Sequence, residues 1–203
     1  MELVIELVHP RHRLMFELLA ATGLRRSELI ALEGRHLALD GARPHVRVRQ
    51  RVRRQKGRGL VIGPLKSRHA RRELPIEFDL ADRIRACARA PDELLFPSEA
   101  GTVLCPNNLN NRVLAPACAE AGVEWARCHT FRHTVASRLF AEGRNAVQVQ
   151  HWLGHHSASF TLDTYVHLLD GDLGDPLRVN TGSTARPQTA ANPEAGVLLE
   201  VAA

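Results

Sequence analysis

HVRVRQRVRR, residues 45–54, sets Arg47, Arg49, Arg51 and Arg53 on every second position, with Val46, Val48 and Val52 between them. Successive side chains of a β-strand point to opposite faces, so the stretch reads as a strand with valine inward and arginine outward. GRGLVIGPLKSRHARRELPI then carries two more short strands, near residues 60–62 and 73–76, joined by a turn that bears Lys66. The expectation is a small antiparallel sheet of three strands. An outward row of arginines usually serves as a solvated edge that resists strand pairing. The same row also suits a nucleic-acid backbone, and both readings stand.

The rest of the chain reads as helix. Residues 10–21 place Leu14, Met15, Leu18 and Leu19 on one side, and TGLRRSEL interrupts the pattern at Gly23. A short second helix is expected to begin at Ser27 as N-cap, which leaves Arg25 in the turn between the two. Residues 80–90 and 106–121 read as helices, with Pro106 at a first position and Gly122 as a stop. Pro116 should bend or split the second of these. HTFRHTVASRLFAEG is expected to form a helix with Thr130 as N-cap and Gly143 as stop. NAVQVQHWLGHH and SASFTLDTYVHLL give two more short helices. From Gly171 the composition shifts to Gly, Pro, Thr, Asn and Ala, a flexible tail over residues 171–203. The fold class is therefore α+β and mostly helical, with one domain over residues 1–170 and no internal repeat.

The chain has 203 residues, 44% of them apolar, enough for a packed core. No stretch approaches the roughly 20 apolar residues of a membrane span. MELVIELVHPRH carries acids where a signal peptide needs bases. Cys87, Cys105, Cys118 and Cys128 are scattered without a CxxC pair, which fits reduced, mostly buried thiols in a cytoplasmic protein. The net charge is +5, and arginine far outnumbers lysine. Arginine suits bidentate contact with phosphate, so a polyanionic partner is consistent.

Three stretches have unusual polar density for apolar helices: TGLRRSEL, HTFRHTVA and LGHHSASFTLDTY. Each sets arginine or histidine near a helix terminus. His129 and Arg132 are three apart and share a helical face. The last stretch holds Tyr165, the only tyrosine of the chain. A phosphodiester transition state needs several fixed positive donors. Arg25 and Arg132 could fork onto non-bridging oxygens, and His129 and His155 could add hydrogen bonds or move a proton. Tyrosine is a covalent nucleophile, and neighbouring arginines ease loss of its proton. Each residue also has a bland reading. Tyr165 alone would usually be structural, Arg25 a solvated charge, and His156 a surface residue. His129 and His133 have spacing that permits a zinc pair, but no matching cysteine motif supplies further ligands.

ATGLRRSEL, HTFRHTVASRL and LGHHSASFTLDTYVHL together resemble the three signature boxes of the tyrosine recombinase, or phage integrase, family. The resemblance implies a DNA strand exchange in which Tyr165 is the nucleophile. It implies that Arg25 is the first catalytic arginine, that His129 and Arg132 form the H-x-x-R pair, and that His155 is the later histidine. Lys66 matches the family's sheet lysine, the general acid for the departing 5′ oxygen, although Arg68, Arg71 and Arg72 crowd it. His133 falls to a supporting or core role. The implied reaction uses no cofactor, ATP or metal. The implied partners are double-stranded DNA and further protomers, a tetramer in synapsis, with no membrane and a nucleoid-associated, cytoplasmic setting. Family members usually carry an N-terminal helical clamp on DNA, and fewer than twenty residues precede the first catalytic helix here, so that core-binding domain is expected to be absent. A relaxing activity like that of type IB topoisomerases, or a DNA-binding regulator that no longer cuts, are the alternatives.

Overall fold

A computed structural model of the chain describes residues 1–87, 90–159 and 161. Among these residues the helices are α1 (Glu2–Leu7), α2 (Pro10–Thr22), α3 (Arg26–Leu29), α4 (Phe78–Ala86), α5 (Pro106–Asn108), α6 (Ala115–Glu120), α7 (Cys128–Ala141) and α8 (Ala146–Leu153). The strands are β1 (Leu37–Ala38), β2 (His45–Val48), β3 (Gln50–Gln55), β4 (Gly59–Pro64) and β5 (Arg72–Pro75). No helix among the described residues is long and apolar enough to cross a membrane.

Helix α2 sits at the centre. Pro10 takes its first position, where a missing N–H costs nothing, and His9 caps it by accepting the Arg11 amide. Gly23 ends it in left-handed backbone, φ 64°. Met15, Phe16, Leu18 and Leu19 are buried to 2% exposure or less. Burying side chains of this size stabilises by about 1.5–3 kcal/mol each. Phe16 meets Phe131 of α7 with ring centroids 5.7 Å apart. The same core takes in Val46, Val48 and Val52 from the strands and Leu80, Ala81 and Ile84 from α4. A second cluster, Val135, Ala136, Leu139, Phe140, Val149 and Leu153, joins α7 to α8. Trp152 packs against both clusters.

The valines turn inward as their alternation predicts, but the stretch is not one strand in one sheet. β2 pairs with β1 and β5 in a three-stranded antiparallel sheet, with Val46 opposite Leu74 and Val48 opposite Arg72. β3 pairs with β4 in a separate hairpin, with Val52 opposite Ile62. The change of partner falls at Arg49, whose guanidinium donates to the carbonyls of Val48 and Arg72. Gln50 then anchors the start of the hairpin by donating to the Ala31 carbonyl at 2.8 Å. Pro75 is tolerated because β5 is an edge strand.

Helix boundaries differ where side-chain caps decide them. α3 begins two residues earlier than expected. Arg25 is its N-cap, and Glu28 at the third position accepts the Arg25 amide at 3.1 Å. Ser27 lies inside the helix. Likewise Thr130 does not cap α7 from outside: it sits at the third position and accepts the Arg127 amide at 2.9 Å. Glu28 and Thr130 thus make the return half of a capping box, which pulls each helix start upstream. Pro116 splits its helix as expected. A π-helical turn, Leu109–Leu114, separates α5 from α6, since proline cannot donate to the preceding turn. α1 is an addition to the expected elements, only six residues long with Val4 and Ile5 buried. Of the cysteines, Cys118 and Cys128 are buried, Cys105 is intermediate and Cys87 exposed, all free. The expected Tyr165 helix, apart from its first residues, and the tail lie outside the described residues.

Candidate active site

The C-terminal end of α8 organises the site. A helix leaves its last carbonyls without intrahelical partners and carries partial negative charge there, so it attracts cations. Three successive carbonyls here each accept from a different arginine. Trp152 O accepts from Arg72 Nε at 2.8 Å, Leu153 O from Arg132 Nη2 at 2.6 Å, and Gly154 O from Arg25 Nη2 at 2.9 Å. Gly154 is left-handed, φ 66°, and a Cβ there would meet Arg72 Nη1 at 2.9 Å. Glycine is therefore required both for the turn and for the seat of the guanidinium.

Arg132 is 1% exposed. Its Nη1 also donates to Gly23 O at 2.8 Å, linking the end of α2 to the end of α8. Arg25 comes from the α2–α3 turn, and its Nη1 donates to Glu28 Oε1 at 2.8 Å. Glu28 is 2% exposed and takes Arg72 Nη2 on its other oxygen at 2.8 Å. Burial opposes the Glu28 charge, but Arg72 and then Arg25 more than offset it, so its carboxyl stays below the usual range.

His155 follows Gly154 directly. It is buried, and its Nδ1 lies 2.8 Å from Thr161 Oγ1. Its pKa is pushed down to about 3, by burial first and then by Arg132, Arg25, Arg72 and His129. The ring is therefore neutral at physiological pH. His129 on α7 is also lowered, by desolvation and then by His133, Arg132, Arg25 and Arg26. These mutual influences bring Arg25, His129, Arg132 and His155, four residues expected from the sequence, into one electrostatic neighbourhood. His133 is exposed rather than in the core and meets His129 edge-on at 4.6 Å. Among the described residues no group of three or more His, Cys, Asp or Glu could hold a metal ion. His156 is exposed.

Other expected residues stand apart. Lys66 is exposed in the connection from β4 to β5, in a shallow depression with Leu65, Ser67, Arg68 and Arg71. It makes no hydrogen bond or ion pair within the described residues. The four arginines of the valine stretch divide into two pairs. Arg47 and Arg49 are both ion-paired with Glu73. Arg51 and Arg53 belong to the hairpin, where Arg51 Nε donates to Pro64 O at 3.4 Å. Tyr165 lies outside the described residues. Glu28 and Arg72 are the two site residues that the sequence does not single out. The one signal for Glu28 is its position three after Arg25, and Arg72 is hidden among neighbouring arginines.

The model of the phage integrase family matches residues 4–171, which include every one of the signature boxes and Tyr165. The chain belongs to the phage integrase family. The tyrosine recombinase XerD of Rhizobium meliloti (strain 1021) is 33% identical over 173 residues, covering 81% of this chain and 50% of the relative. XerC of Azotobacter vinelandii (strain DJ / ATCC BAA-1303) is 34% identical over 158 residues, covering 78% and 48%. The chain spans about half the length of these relatives. Among solved structures, the Tn1549 transposon integrase, in complex with transposon right end DNA, aligns with TM-score 0.69 at 20% identity, over 81% of this chain and 58% of that one. XerA recombinase aligns with TM-score 0.62 at 21% identity, over 83% and 56%. The fold is that of a tyrosine recombinase catalytic domain, α+β and mostly helical, with small antiparallel sheets.

Proposed function

We propose that this phage integrase family member cleaves and rejoins DNA strands through a 3′-phosphotyrosine link at Tyr165. The observation that carries the reading is the convergence of Arg25, Arg132 and His155 on the end of α8. Two guanidinium groups, that of Arg132 buried and that of Arg25 half-buried, are fixed in place and stabilise charge that develops on non-bridging phosphate oxygens better than freely solvated cations could. A guanidinium has five N–H donors, and Glu28 and Gly154 use two of those of Arg25. The neutral ring of His155 and the lowered His129 can donate a hydrogen bond without adding a full charge. Tyr165 passes its phenolic proton to the neutral imidazole of His129 and attacks phosphorus; the bond to the 5′ oxygen breaks, and that oxygen leaves with a proton from Lys66. One ester replaces another, so rejoining by the 5′ hydroxyl needs no external energy source.

The substrate is double-stranded DNA, and exchange between two sites takes several protomers, four in a synapse. Residues 1–170 act as the catalytic unit, and the packing of Met1–Asp170 as one unit supports that division. Such a substrate places the chain at the nucleoid in the cytoplasm.

Incubation with a nicked suicide duplex, whose cleaved 5′ end is lost by diffusion, tests the reading. A denaturant-resistant protein–DNA adduct is expected. A protein that binds the duplex and yields no adduct is a regulator that does not cut, and the proposal fails. Relaxation of supercoiled plasmid without exchange between sites would replace recombination by a topoisomerase-like activity.

A further inference from the structure

We propose that Arg72, outside the signature boxes, is the positioning residue that holds Arg25 and the end of α8 in register with each other. The catalytic consequence rests on the strand-cleavage reading above, but the geometry does not. Arg72 is 8% exposed, and all three of its guanidinium nitrogens donate in different directions. Nε goes to Trp152 O at 2.8 Å, Nη1 to Ala70 O at 2.9 Å and Nη2 to Glu28 Oε2 at 2.8 Å. Glu28 in turn holds Arg25 twice, through the Arg25 amide at 3.1 Å and Nη1 at 2.8 Å. Arg25 closes the circuit by reaching Gly154 O, two residues beyond the carbonyl that Arg72 holds. The loop Arg72–Glu28–Arg25–Gly154–Trp152 thus joins β5, α3 and α8, and Arg72 is the one side chain that touches all three.

A role in stability alone would need only a buried counter-charge for Glu28. The geometry supplies more. Arg72 bonds the carboxylate oxygen that also holds the Arg25 amide, and the α8 terminus that Arg25 and Arg132 share. Freed from Arg72, Glu28 keeps Arg25 as its partner but can turn, and the carbonyls at the α8 end can shift relative to Arg25. Lysine cannot substitute, since an ammonium on a flexible stem does not span three acceptors set in a planar fork.

The test compares wild type, Arg72→Lys and the double variant Glu28→Gln with Arg72→Met, which removes both buried charges and so keeps the fold accessible. Circular dichroism melts confirm folding. Side-chain 15N NMR of arginine, without DNA, reads the order of Arg25, and single-turnover adduct formation at saturating DNA reads the chemistry. The Arg25 guanidinium should rotate slowly in wild type and measurably faster in Arg72→Lys, where Glu28 and Gly154 still hold it but less firmly, and faster again in the double variant, which also weakens its bond to position 28. Adduct formation should slow by about 10²-fold, the scale for a displaced oxyanion donor, with DNA affinity within about three-fold. In an Arg25→Ala background, Arg72→Lys should cost less than about three-fold more, because the residue it positions is gone. An unchanged Arg25 in the NMR measurement, or an equal penalty in both backgrounds, overturns the proposal. If wild type forms no adduct, the cleavage reading fails while the NMR comparison still decides the positioning role.

Discussion

His155 ties protonation to stability. In the folded chain its pKa stands at about 3, against an ordinary 6.5. Between those values the unfolded chain binds a proton that the folded chain refuses, so stability falls as pH falls from about 6.5 toward 3. His129 and His133 are lowered too and act in the same sense. The thermal midpoint should therefore drop between about pH 7 and pH 5, and His155→Asn should flatten that slope. A slope identical in the variant would show that His155 protonates freely when folded. Lys66 is tested by its leaving group. A general acid matters only where the departing oxygen is poor. Lys66→Ala should be slow on ordinary DNA and near wild type on DNA with a 5′-bridging sulfur. Equal defects on both would assign Lys66 to phosphate binding. The arginines and histidines proposed as catalytic are legible in the sequence because their motifs are dense and ordered. Glu28 and Arg72 are not, because a buried ion pair between positions 28 and 72 exists only once α3 and β5 meet. No local pattern distinguishes Arg72 from Arg68 or Arg71, which stay exposed.

The C-terminal turn of α8 is the element on which the site depends. Gly154→Ala forces a side chain into left-handed backbone, at a cost of about 1–2 kcal/mol, and drives its Cβ to 2.9 Å from Arg72 Nη1. Denaturant unfolding should show at least that loss, and wild-type stability would mean that Arg72 is not seated there. The strands show what periodicity can and cannot tell. Alternation of valine and arginine predicts the correct faces, since side-chain direction is a property of the strand alone. Partnership is not, and the chain exchanges β5 for β4 between Val48 and Gln50 without breaking the alternation. That exchange separates the arginines. Arg47 and Arg49 are engaged by Glu73, whereas Arg51 and Arg53 stand on the hairpin. Arg51→Gln with Arg53→Gln should reduce the slope of log affinity against log salt by about 0.9 for each phosphate left unneutralised. Arg47→Gln with Arg49→Gln should change it less, and the reverse order would place DNA on the other sheet.

At the scale of the whole molecule, the site is assembled by contacts between parts of the chain that are remote in sequence. Arg25 reaches a carbonyl 129 positions away, and Arg132 bridges the ends of two helices through Gly23 and Leu153. Such a site forms only when the core of α2, α7 and α8 is complete, so binding and chemistry should be lost together with the fold rather than gradually. An arginine-rich chain of net charge +5 is suited to draw in a polyanion. Under the proposed function, what it does to that polyanion depends on Tyr165. The most direct measurement is the identity of the amino acid that becomes attached to DNA. Wild type and Tyr165→Phe are incubated with the nicked suicide duplex, the adduct is digested with protease and nuclease, and the modified peptide is identified by mass spectrometry. Wild type should give one nucleotide-bearing peptide, modified at Tyr165, and Tyr165→Phe should bind DNA within about three-fold of wild type and give none. A peptide modified at a serine, or an adduct that persists in Tyr165→Phe, would contradict the account, because the chain has no second tyrosine to take its place.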